Sequence, residues 1–268
     1  MTQYAVVGDP IAHSKSPEIH RLFAEQTGED VEYAKHRVEA PDFVEFVNRF
    51  FAKGGGGLNI TLPHKEAAFA LAKDKSQQAQ LARAVNTLWI NGDGVLAGEN
   101  TDGAGIVNDL RNNQVTLAGK NVLMLGAGGA ARGALAALVS ASPNHISLLN
   151  RTRSKAEALR SDFAHVFDIE VGDYSQELSR QFDVIINGTA TSLSGEVPAL
   201  DPRYLAPACC CYDMMYGSEP TAFMTWADQY GAETVLDGLG MLVEQAAESF
   251  LLWRGVKPET APVINRLR

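Results

Sequence analysis

Residues 122–131 read VLMLGAGGAA, and the rest of the fold can be inferred from this stretch. The apolar run Val122–Leu125 is typical of a buried strand. Glycine occupies three of the next four positions, and an alanine-rich run, Ala130–Val139, then predicts a helix. A strand, a G-x-G-x-x-[G/A] turn and a helix in this order are typical of dinucleotide-binding proteins, because the glycines let backbone N–H groups approach a pyrophosphate. The alternative is a turn with a purely structural role. We expect the nucleotide at Gly126, Ala127, Gly128, Gly129 and Ala130.

Strand and helix patterns alternate along the sequence after this motif. Apolar runs such as Ile146–Leu149, Asp183–Asn187 and Cys209–Met214 alternate with helical patterns such as Ser154–Ala164. This order predicts an α/β fold with largely parallel sheets, and the glycine motif makes this part a Rossmann-type, doubly wound domain.

The first hundred residues predict a second, smaller α/β domain. Tyr4–Gly8 predicts a strand, and Pro17 to Thr27 predicts a helix. We expect Ser16 to cap this helix and Gly28 to end it. The final predicted helix, Met241–Trp253, could return to this domain.

Two polar pairs are predicted to lie close together in the N-terminal domain. Strict alternation in the strand Leu58–Leu62 places Asn59 and Thr61 on one face and its leucines and isoleucine on the other. Two β-type runs flank the sequence NGDG at residues 91–94, which predicts a hairpin. If Ile90 pairs with Val95 across this turn, Asn86 lies opposite residues 99 and 100, and therefore close to Asp102.

Lys65 is a candidate catalytic residue because it begins a predicted helix, His64–Ala72, directly after the polar strand. At a helix N-terminus, the dipole and partial loss of water both disfavour the charge of an ammonium group. Taken alone, a solvated surface lysine is the simpler interpretation. The polar pairs favour a site, and Ser14 and Ser16, two residues apart, can point both hydroxyls in one direction.

A basic segment follows the second strand of the nucleotide domain. An NAD-binding enzyme usually places an acidic residue here, on the ribose 2′-hydroxyl. This sequence reads NRTRSK at residues 150–155 and contains no carboxylate. Arginine suits planar contacts to a phosphate, which predicts NADP rather than NAD. A solvated helix start is the alternative, but cations in a first helical turn oppose the dipole.

Composition excludes several classes of function. The net charge of −9 provides no overall attraction for nucleic acid. Cys209–Cys211 are adjacent and cannot form a disulfide framework, so we expect a reducing, cytoplasmic setting. We find no secretory signal or membrane-spanning run, and the histidines show no metal-ligand spacing. We therefore expect a cytoplasmic protein without a metal site that acts on a small molecule.

Taken together and in order, the motifs resemble the shikimate dehydrogenase family, and the resemblance runs through essentially the whole chain. They are Ser14–Pro17, Asn59–Lys65, Ala84–Thr87, Gly98–Gly103, Gly126–Ala131, Asn150–Thr152 and Gly238–Gln245.

The resemblance implies the reversible reduction of 3-dehydroshikimate to shikimate by NADPH, in a cleft between a substrate domain and a nucleotide domain. It implies a substrate domain of residues 1–102 plus 239–268, a nucleotide domain of residues 103–238, and a monomer or homodimer. It makes Lys65 and Asp102 the catalytic pair. The implied substrate contacts are Ser14, Ser16, Asn59, Thr61, Asn86, Tyr216 and Gln245. The implied NADP(H) contacts are the glycine loop, Asn150, Arg151, Thr152, Arg153, Lys155, Thr189, Met214 and Gly238.

The sequence departs from the family pattern at two places. Family members usually read Asn-Ala-Thr-Ser-x-Gly after the strand that ends at Asn187, whereas this chain reads NGTATS at residues 187–192. Gln77 stands where an acidic side chain is common. The alternatives in function are a quinate/shikimate dehydrogenase that uses NAD, a non-catalytic NADP-sensing module, and a related folate or amino-acid dehydrogenase, for which no motif matches better.

Overall fold

The chain divides into two compact α/β units. The computed structural model describes residues 1–268, apart from the side chains of residues 193 and 194. The first unit combines Met1–Gly105 with Leu242–Arg268, and the second comprises Ile106–Met241. Each boundary falls a few residues after the one predicted, inside a helix that continues from one unit into the other.

The first unit is built on a mixed sheet with strand order β2-β1-β3-β5-β6-β4. The β3–β5 and β5–β6 pairs are antiparallel, and the other pairs are parallel. Its elements are β1 (Thr2–Gly8), α1 (Ser16–Thr27), β2 (Val31–Arg37), α2 (Phe43–Ala52), β3 (Gly57–Ile60), α3 (Lys65–Leu71), β4 (Asp74–Lys75), α4 (Gln77–Ala82), β5 (Thr87–Ile90) and β6 (Leu96–Glu99). Two helices cross the unit boundaries, α5 (Asp102–Asn112) and α9 (Leu239–Arg254), and α10 (Ala261–Leu267) ends the chain.

Local sequence explains how the first unit begins and turns. Pro17 lies in the first turn of α1, and Gly28 ends this helix with φ of 71°, a left-handed conformation that glycine adopts without a steric penalty. The predicted hairpin is confirmed, but its register is shifted by one residue, with Ile90 opposite Leu96 rather than Val95 and Thr87 opposite Glu99. This register brings the residue before β5 next to the residues after β6.

Several local predictions for this unit were wrong. Ser16 does not cap α1, since Lys15 occupies the cap position and Ser16 is the first helical residue. Leu62 lies beyond β3 and is 72% exposed, because the strand ends at Ile60 before the alternation does. Helix α9 is not the last helix, since α10 follows and buries Val263 in a core cluster.

The second unit is a parallel, doubly wound sheet with strand order β12-β11-β10-β7-β8-β9. Its elements are β7 (Asn121–Leu125), α6 (Gly129–Ser140), β8 (His145–Leu149), α7 (Arg153–Phe163), β9 (Ile169–Gly172), β10 (Phe182–Asn187), β11 (Leu205–Asp213), α8 (Ala222–Gln229) and β12 (Thr234–Leu236). The order reverses between β7 and β10, which is the switch point of a Rossmann fold. The predicted fold class is confirmed, and ligands of such sheets bind at the carboxyl ends of the strands.

The strands of the second unit are buried, as expected for a parallel sheet covered on both faces. Val122–Leu125 are fully buried, and the three cysteines lie buried as free thiols on β11. Burial raises the pKa of Cys210 to about 12. Among the helices that the structure describes, none has the length and apolar character needed to cross a bilayer.

Candidate functional site

Lys65 and Asp102 form an ion pair, with Lys65 Nζ 2.5 Å from Asp102 Oδ2. Each residue begins a helix, Lys65 in α3 and Asp102 in α5. A helix N-terminus stabilises a carboxylate and disfavours an ammonium group, so Asp102 offsets the unfavourable position of the lysine. The two side chains are 25% and 14% exposed, which leaves the pair accessible to a small ligand.

Asn86 fixes the orientation of Asp102. The Oδ1 atom of Asn86 accepts a hydrogen bond of 2.8 Å from the backbone N–H of Thr101. Because that N–H can only donate, the amide nitrogen of Asn86 must point the other way, and it donates to Asp102 Oδ1 over 2.8 Å. The predicted proximity of Asn86 and Asp102 is confirmed, and Asp102 Oδ2 stays directed at Lys65.

Asn59 joins this cluster through buried hydroxyl groups. Its amide nitrogen donates to Ser249 Oγ over 2.9 Å and to Thr87 Oγ1 over 3.2 Å. Its carbonyl oxygen accepts a hydrogen bond of 2.7 Å from the Tyr33 hydroxyl. Thr87 in turn donates to Asn86 Oδ1 over 2.9 Å. The polar faces of β3 and β5 therefore form one connected network.

Sequence reasoning missed Thr87, Ser249 and Tyr33. Thr87 and Ser249 are fully buried, and burial raises the pKa of Tyr33 well above its usual value. No spacing rule links them, because their partners lie far away along the chain. For Thr87, the available signal was its position directly after Asn86, which was already a predicted site residue.

The structure places the other predicted substrate contacts in different surroundings. Gln245 is close to Asn86, since its Oε1 atom accepts from Asn86 Nδ2 over 3.3 Å. The hydroxyl oxygens of Ser14 and Ser16 lie 3.2 Å apart, and Tyr33, a partner of both Ser16 and Asn59, links this pair to the network. Thr61 lies just beyond β3, and a Cβ atom on Gly8 would lie 2.4 Å from its methyl group. Tyr216 belongs to the second unit, where burial raises its pKa.

The glycine loop of the second unit lies between β7 and α6. Gly126 has φ of 100°, which favours glycine, and a Cβ atom there would lie 2.9 Å from Thr189 Cγ2. In contrast, a Cβ atom on Gly128 or Gly129 would meet no protein atom within 4 Å. Gly128 has φ of −88°, which any residue adopts. The fold itself thus requires glycine at 126 but not at 128 and 129.

The space above Gly128 and Gly129 is open, and backbone N–H groups border it. Both residues lie at the N-terminus of α6, where the first N–H groups of the helix have no partner within the helix. Backbone without side chains and free N–H groups at a positive helix end form an anion site, and Ala127 and Ala130 complete this loop. The amide of Asn150 supports the loop, because its Oδ1 atom accepts from Ala127 N over 3.1 Å.

The basic segment after β8 is exposed, and its residues differ in their partners. Arg153 begins α7 and forms an ion pair of 2.9 Å with Glu157. Within the described part of the chain, Arg151 and Lys155 enter no salt bridge. Thr152 precedes the helix and accepts a hydrogen bond of 2.8 Å from Asn150 through its backbone carbonyl. Arg151 and Lys155 are therefore the freest cations for a phosphate group.

Thr189, Met214 and Gly238 follow β10, β11 and β12, at the same carboxyl edge as the glycine loop. A Cβ atom on Gly238 would lie 2.2 Å from the carbonyl oxygen of Met214, so only glycine fits there. At Gly188, where the family usually has alanine, a Cβ atom would lie 2.6 Å from Met124 Cε. Met124 thus fills the space that a methyl group would need.

Three family models match the chain in sequence order. Residues 6–88 match the shikimate dehydrogenase substrate binding domain, and residues 109–194 match shikimate / quinate 5-dehydrogenase. Residues 238–268 match the shikimate 5′-dehydrogenase C-terminal domain.

Comparison with individual proteins gives matches over the full length. A shikimate dehydrogenase (NADP(+)) from Cellvibrio japonicus (strain Ueda107) is 52% identical over 265 residues, which cover 99% of this chain and 96% of the relative. The crystal structure of an Ael1 enzyme from Pseudomonas putida has a TM-score of 0.94 and 42% identity, covering 100% of this chain and 98% of that chain. Shikimate 5-dehydrogenase from Thermus thermophilus, solved in complex with NADP(H) and shikimate, has a TM-score of 0.88 and 30% identity, with coverage of 99% and 98%.

Proposed function

The chain belongs to the shikimate dehydrogenase family, and we propose that it catalyses the reversible, NADPH-dependent reduction of 3-dehydroshikimate to shikimate. It is then an oxidoreductase that acts on a CH–OH group. The observation that supports this most strongly is the Lys65–Asp102 ion pair, held by Asn86 in a network of amide and hydroxyl groups. Such a network suits a small polyhydroxylated ligand, because each ligand hydroxyl needs both donors and acceptors.

Lys65 handles the proton in this proposal. Bound NADPH supplies the hydride for the substrate carbonyl carbon. The Lys65 ammonium group faces the carbonyl oxygen, stabilises the negative charge that develops there and donates a proton to it. The lysine then recovers a proton from water. In the reverse direction, the neutral amine of Lys65 accepts the proton of the substrate hydroxyl.

Asp102 keeps Lys65 in position during these transfers. Its two oxygens have separate partners, with Oδ2 accepting from Lys65 and Oδ1 from Asn86. A carboxylate held in this way keeps the ammonium group aimed at one place, so less reorganisation is needed when the substrate oxygen becomes negative.

The remaining polar groups bind and orient the substrate. The paired hydroxyls of Ser14 and Ser16 suit its carboxylate, since two adjacent O–H donors can reach both carboxylate oxygens. The amides suit its ring hydroxyls. The proposed substrate contacts are Ser14, Ser16, Asn59, Thr61, Asn86, Tyr216 and Gln245.

The second unit binds NADP(H) in the proposal. The open glycine loop binds the pyrophosphate through its backbone N–H groups, and the free cations Arg151 and Lys155 bind the ribose 2′-phosphate. The proposed cofactor contacts are Gly126, Ala127, Gly128, Gly129, Ala130, Asn150, Arg151, Thr152, Arg153, Lys155, Thr189, Met214 and Gly238.

A four-way kinetic assay tests the proposal, with shikimate or quinate as the substrate and NADP⁺ or NAD⁺ as the oxidant. We expect the highest kcat/KM for shikimate with NADP⁺. Comparable efficiency with quinate or NAD⁺ would instead assign a quinate/shikimate dehydrogenase that uses NAD. Tight binding of NADPH without turnover of 3-dehydroshikimate would indicate a non-catalytic NADP-sensing module.

A further inference from the structure

A buried carboxylate, Asp213, ends strand β11 and is fully inaccessible to solvent. Within the described part of the chain it enters no salt bridge. Hydrogen bonds take the place of a cation. Its Oδ2 atom accepts from Thr221 Oγ1 over 2.6 Å, and its Oδ1 atom accepts from Asn187 Nδ2 over 3.2 Å and from Met215 N over 3.0 Å. A buried carboxylate is tolerated only with such compensation, so these donors are held tightly.

The first consequence concerns Asn187 and Thr189. A carboxylate only accepts hydrogen bonds, so Asn187 must turn its amide nitrogen toward Asp213. The carbonyl oxygen of Asn187 then faces Thr189 and accepts from its backbone N–H over 3.1 Å and from its hydroxyl over 2.7 Å. The same amide nitrogen also donates to Ser192 Oγ over 2.9 Å, but a hydroxyl can donate as well as accept, so it is the carboxylate that fixes which way the amide turns. The place of Thr189 therefore depends on Asp213, although the two residues share no hydrogen bond.

The second consequence concerns the segment that follows β11. Asp213 holds the N–H of Met215, and the carbonyl oxygen of Met215 accepts from Gly238 N over 3.0 Å. The N–H of Met214 donates to the backbone oxygen of Asn187 over 2.9 Å. The segment that leads to Tyr216 is thus fastened to the ends of β10 and β12.

We propose that Asp213 is a positioning residue that holds Thr189 and the Met214–Tyr216 segment in their binding geometry at the same time. This inference rests on the proposed function, in which Thr189 and Met214 contact NADP(H) and Tyr216 contacts the substrate. One carboxylate then couples the geometry of a cofactor contact to that of a substrate contact, both within the second unit.

Two substitutions at position 213 make opposite predictions. Asp213→Ala removes every acceptor, and we expect the Kd for NADPH and the KM for shikimate to rise about tenfold, as for the loss of one charge-assisted hydrogen bond. Asp213→Asn keeps an oxygen for Asn187 and Met215, while the Thr221 hydroxyl can rotate and accept from the new amide. We expect this variant to stay within about threefold of the wild type.

Stability must be separated from positioning. Phe163→Ala is the matched control, because Phe163 is fully buried on α7 and has no part in the proposed site. We expect it to lower Tm while leaving the Kd for NADPH unchanged, with all assays run well below the lowest Tm. If Asp213→Ala folds too poorly, Asn187→Ala removes the link to Thr189 together with the amide's bonds to Asp213 and Ser192 but leaves Asp213 and its bonds to Thr221 and Met215, and we expect it to weaken NADPH binding as well.

Amide hydrogen exchange of the ligand-free protein provides a measurement that does not depend on the proposed function. We expect the Thr189 amide to exchange at least about tenfold faster in Asp213→Ala, although its own acceptor, Asn187, is still present. Asp213→Asn and Phe163→Ala should leave it unchanged. Unchanged exchange at Thr189, or equal effects of Phe163→Ala and Asp213→Ala, would overturn the inference. Failure of the wild type to bind NADPH would overturn the proposed function, while the exchange result would still decide the role of Asp213.

Discussion

The substitution Asp102→Asn places one amide group between two hydrogen-bond donors. In the native protein, Asp102 Oδ2 accepts from Lys65 and Oδ1 accepts from Asn86. Asn86 cannot turn round to offer its own oxygen, because that oxygen accepts from the backbone N–H of Thr101. In either orientation, the new NH₂ group must therefore face a donor.

The expected cost follows from this conflict. One charge-assisted hydrogen bond is lost, and such a bond contributes about 1.5–3 kcal/mol. Solvent screens this bond only weakly, because the side chains of the pair are only 25% and 14% exposed. The lost free energy therefore corresponds to a fall of about 10- to 100-fold in kcat/KM. The fall should appear mainly in kcat if Lys65 acts in the transition state rather than in ground-state binding.

Steady-state reduction of 3-dehydroshikimate, followed by the absorbance of NADPH, measures this effect. Asp93→Asn is the matched control, because Asp93 lies exposed in the hairpin turn of the same unit and should leave kcat/KM unchanged. The NADPH affinity of Asp102→Asn should equal that of the wild type. A variant that keeps kcat/KM within about threefold of the wild type would refute the role assigned to Asp102.

Four further substitutions test other parts of the structure. Gly129→Ala should fold with unchanged Tm, because its Cβ would enter open space, but it should raise the Kd for NADPH. Gly238→Ala should instead lower Tm, because its Cβ would lie 2.2 Å from a backbone oxygen. Equal Tm values for the two variants would contradict this. Arg151→Gln should reduce the preference for NADP⁺ over NAD⁺ about tenfold in kcat/KM, and an unchanged ratio would count against a 2′-phosphate contact. Burial lowers the pKa of His20 from 6.5 to about 3. As the pH falls, the histidine therefore gains a proton in the unfolded state before it does so in the folded state. The free energy of unfolding should then drop by about 1.4 kcal/mol per pH unit below 6.5. Chemical denaturation should show a shallower decline for His20→Phe, which preserves the stacking on Tyr33, and identical slopes would argue against a buried neutral histidine.

The sequence predicted the second unit well, because its signals are local. The strand, glycine turn and helix at residues 121–140 are contiguous, and the required left-handed glycine lies at the first position of the motif. The hairpin was also predictable from its turn residues, and so was the approach of Asn86 to Asp102, although the register is one residue away from the pairing of Ile90 with Val95.

Contacts between distant segments could not be predicted from local patterns. Ser249 lies on α9 and contacts Asn59 on β3, and nothing in the spacing of either segment reports the other. Tyr33 lies on an edge strand whose side chains are mostly exposed, so its hydrogen bond to Asn59 has no counterpart in the hydrophobic pattern. Only the tertiary packing of these elements brings their polar groups together.

Errors at element ends have a physical cause. The apolar and polar residues alternate as far as Leu62, but the pairing of β3 stops at Ile60. Pro63 follows shortly afterwards and restricts the backbone of the residue before it. Ser16 is the first residue of the helix and Lys15 occupies the cap position, while the hydroxyl of Ser14 accepts from the N–H of Ser16. A capping preference describes an average, and here the preceding serine supplies the acceptor.

The role of Lys65 as proton donor is the central claim, and one comparison tests it most directly. Lys65→Ala and the wild type are compared for turnover of 3-dehydroshikimate and, separately, for NADPH binding, with the exposed Lys53→Ala as the control. The account predicts that Lys65→Ala loses at least about 100-fold in kcat while its Kd for NADPH stays at the wild-type value. Turnover by Lys65→Ala within a few-fold of the wild type would contradict it.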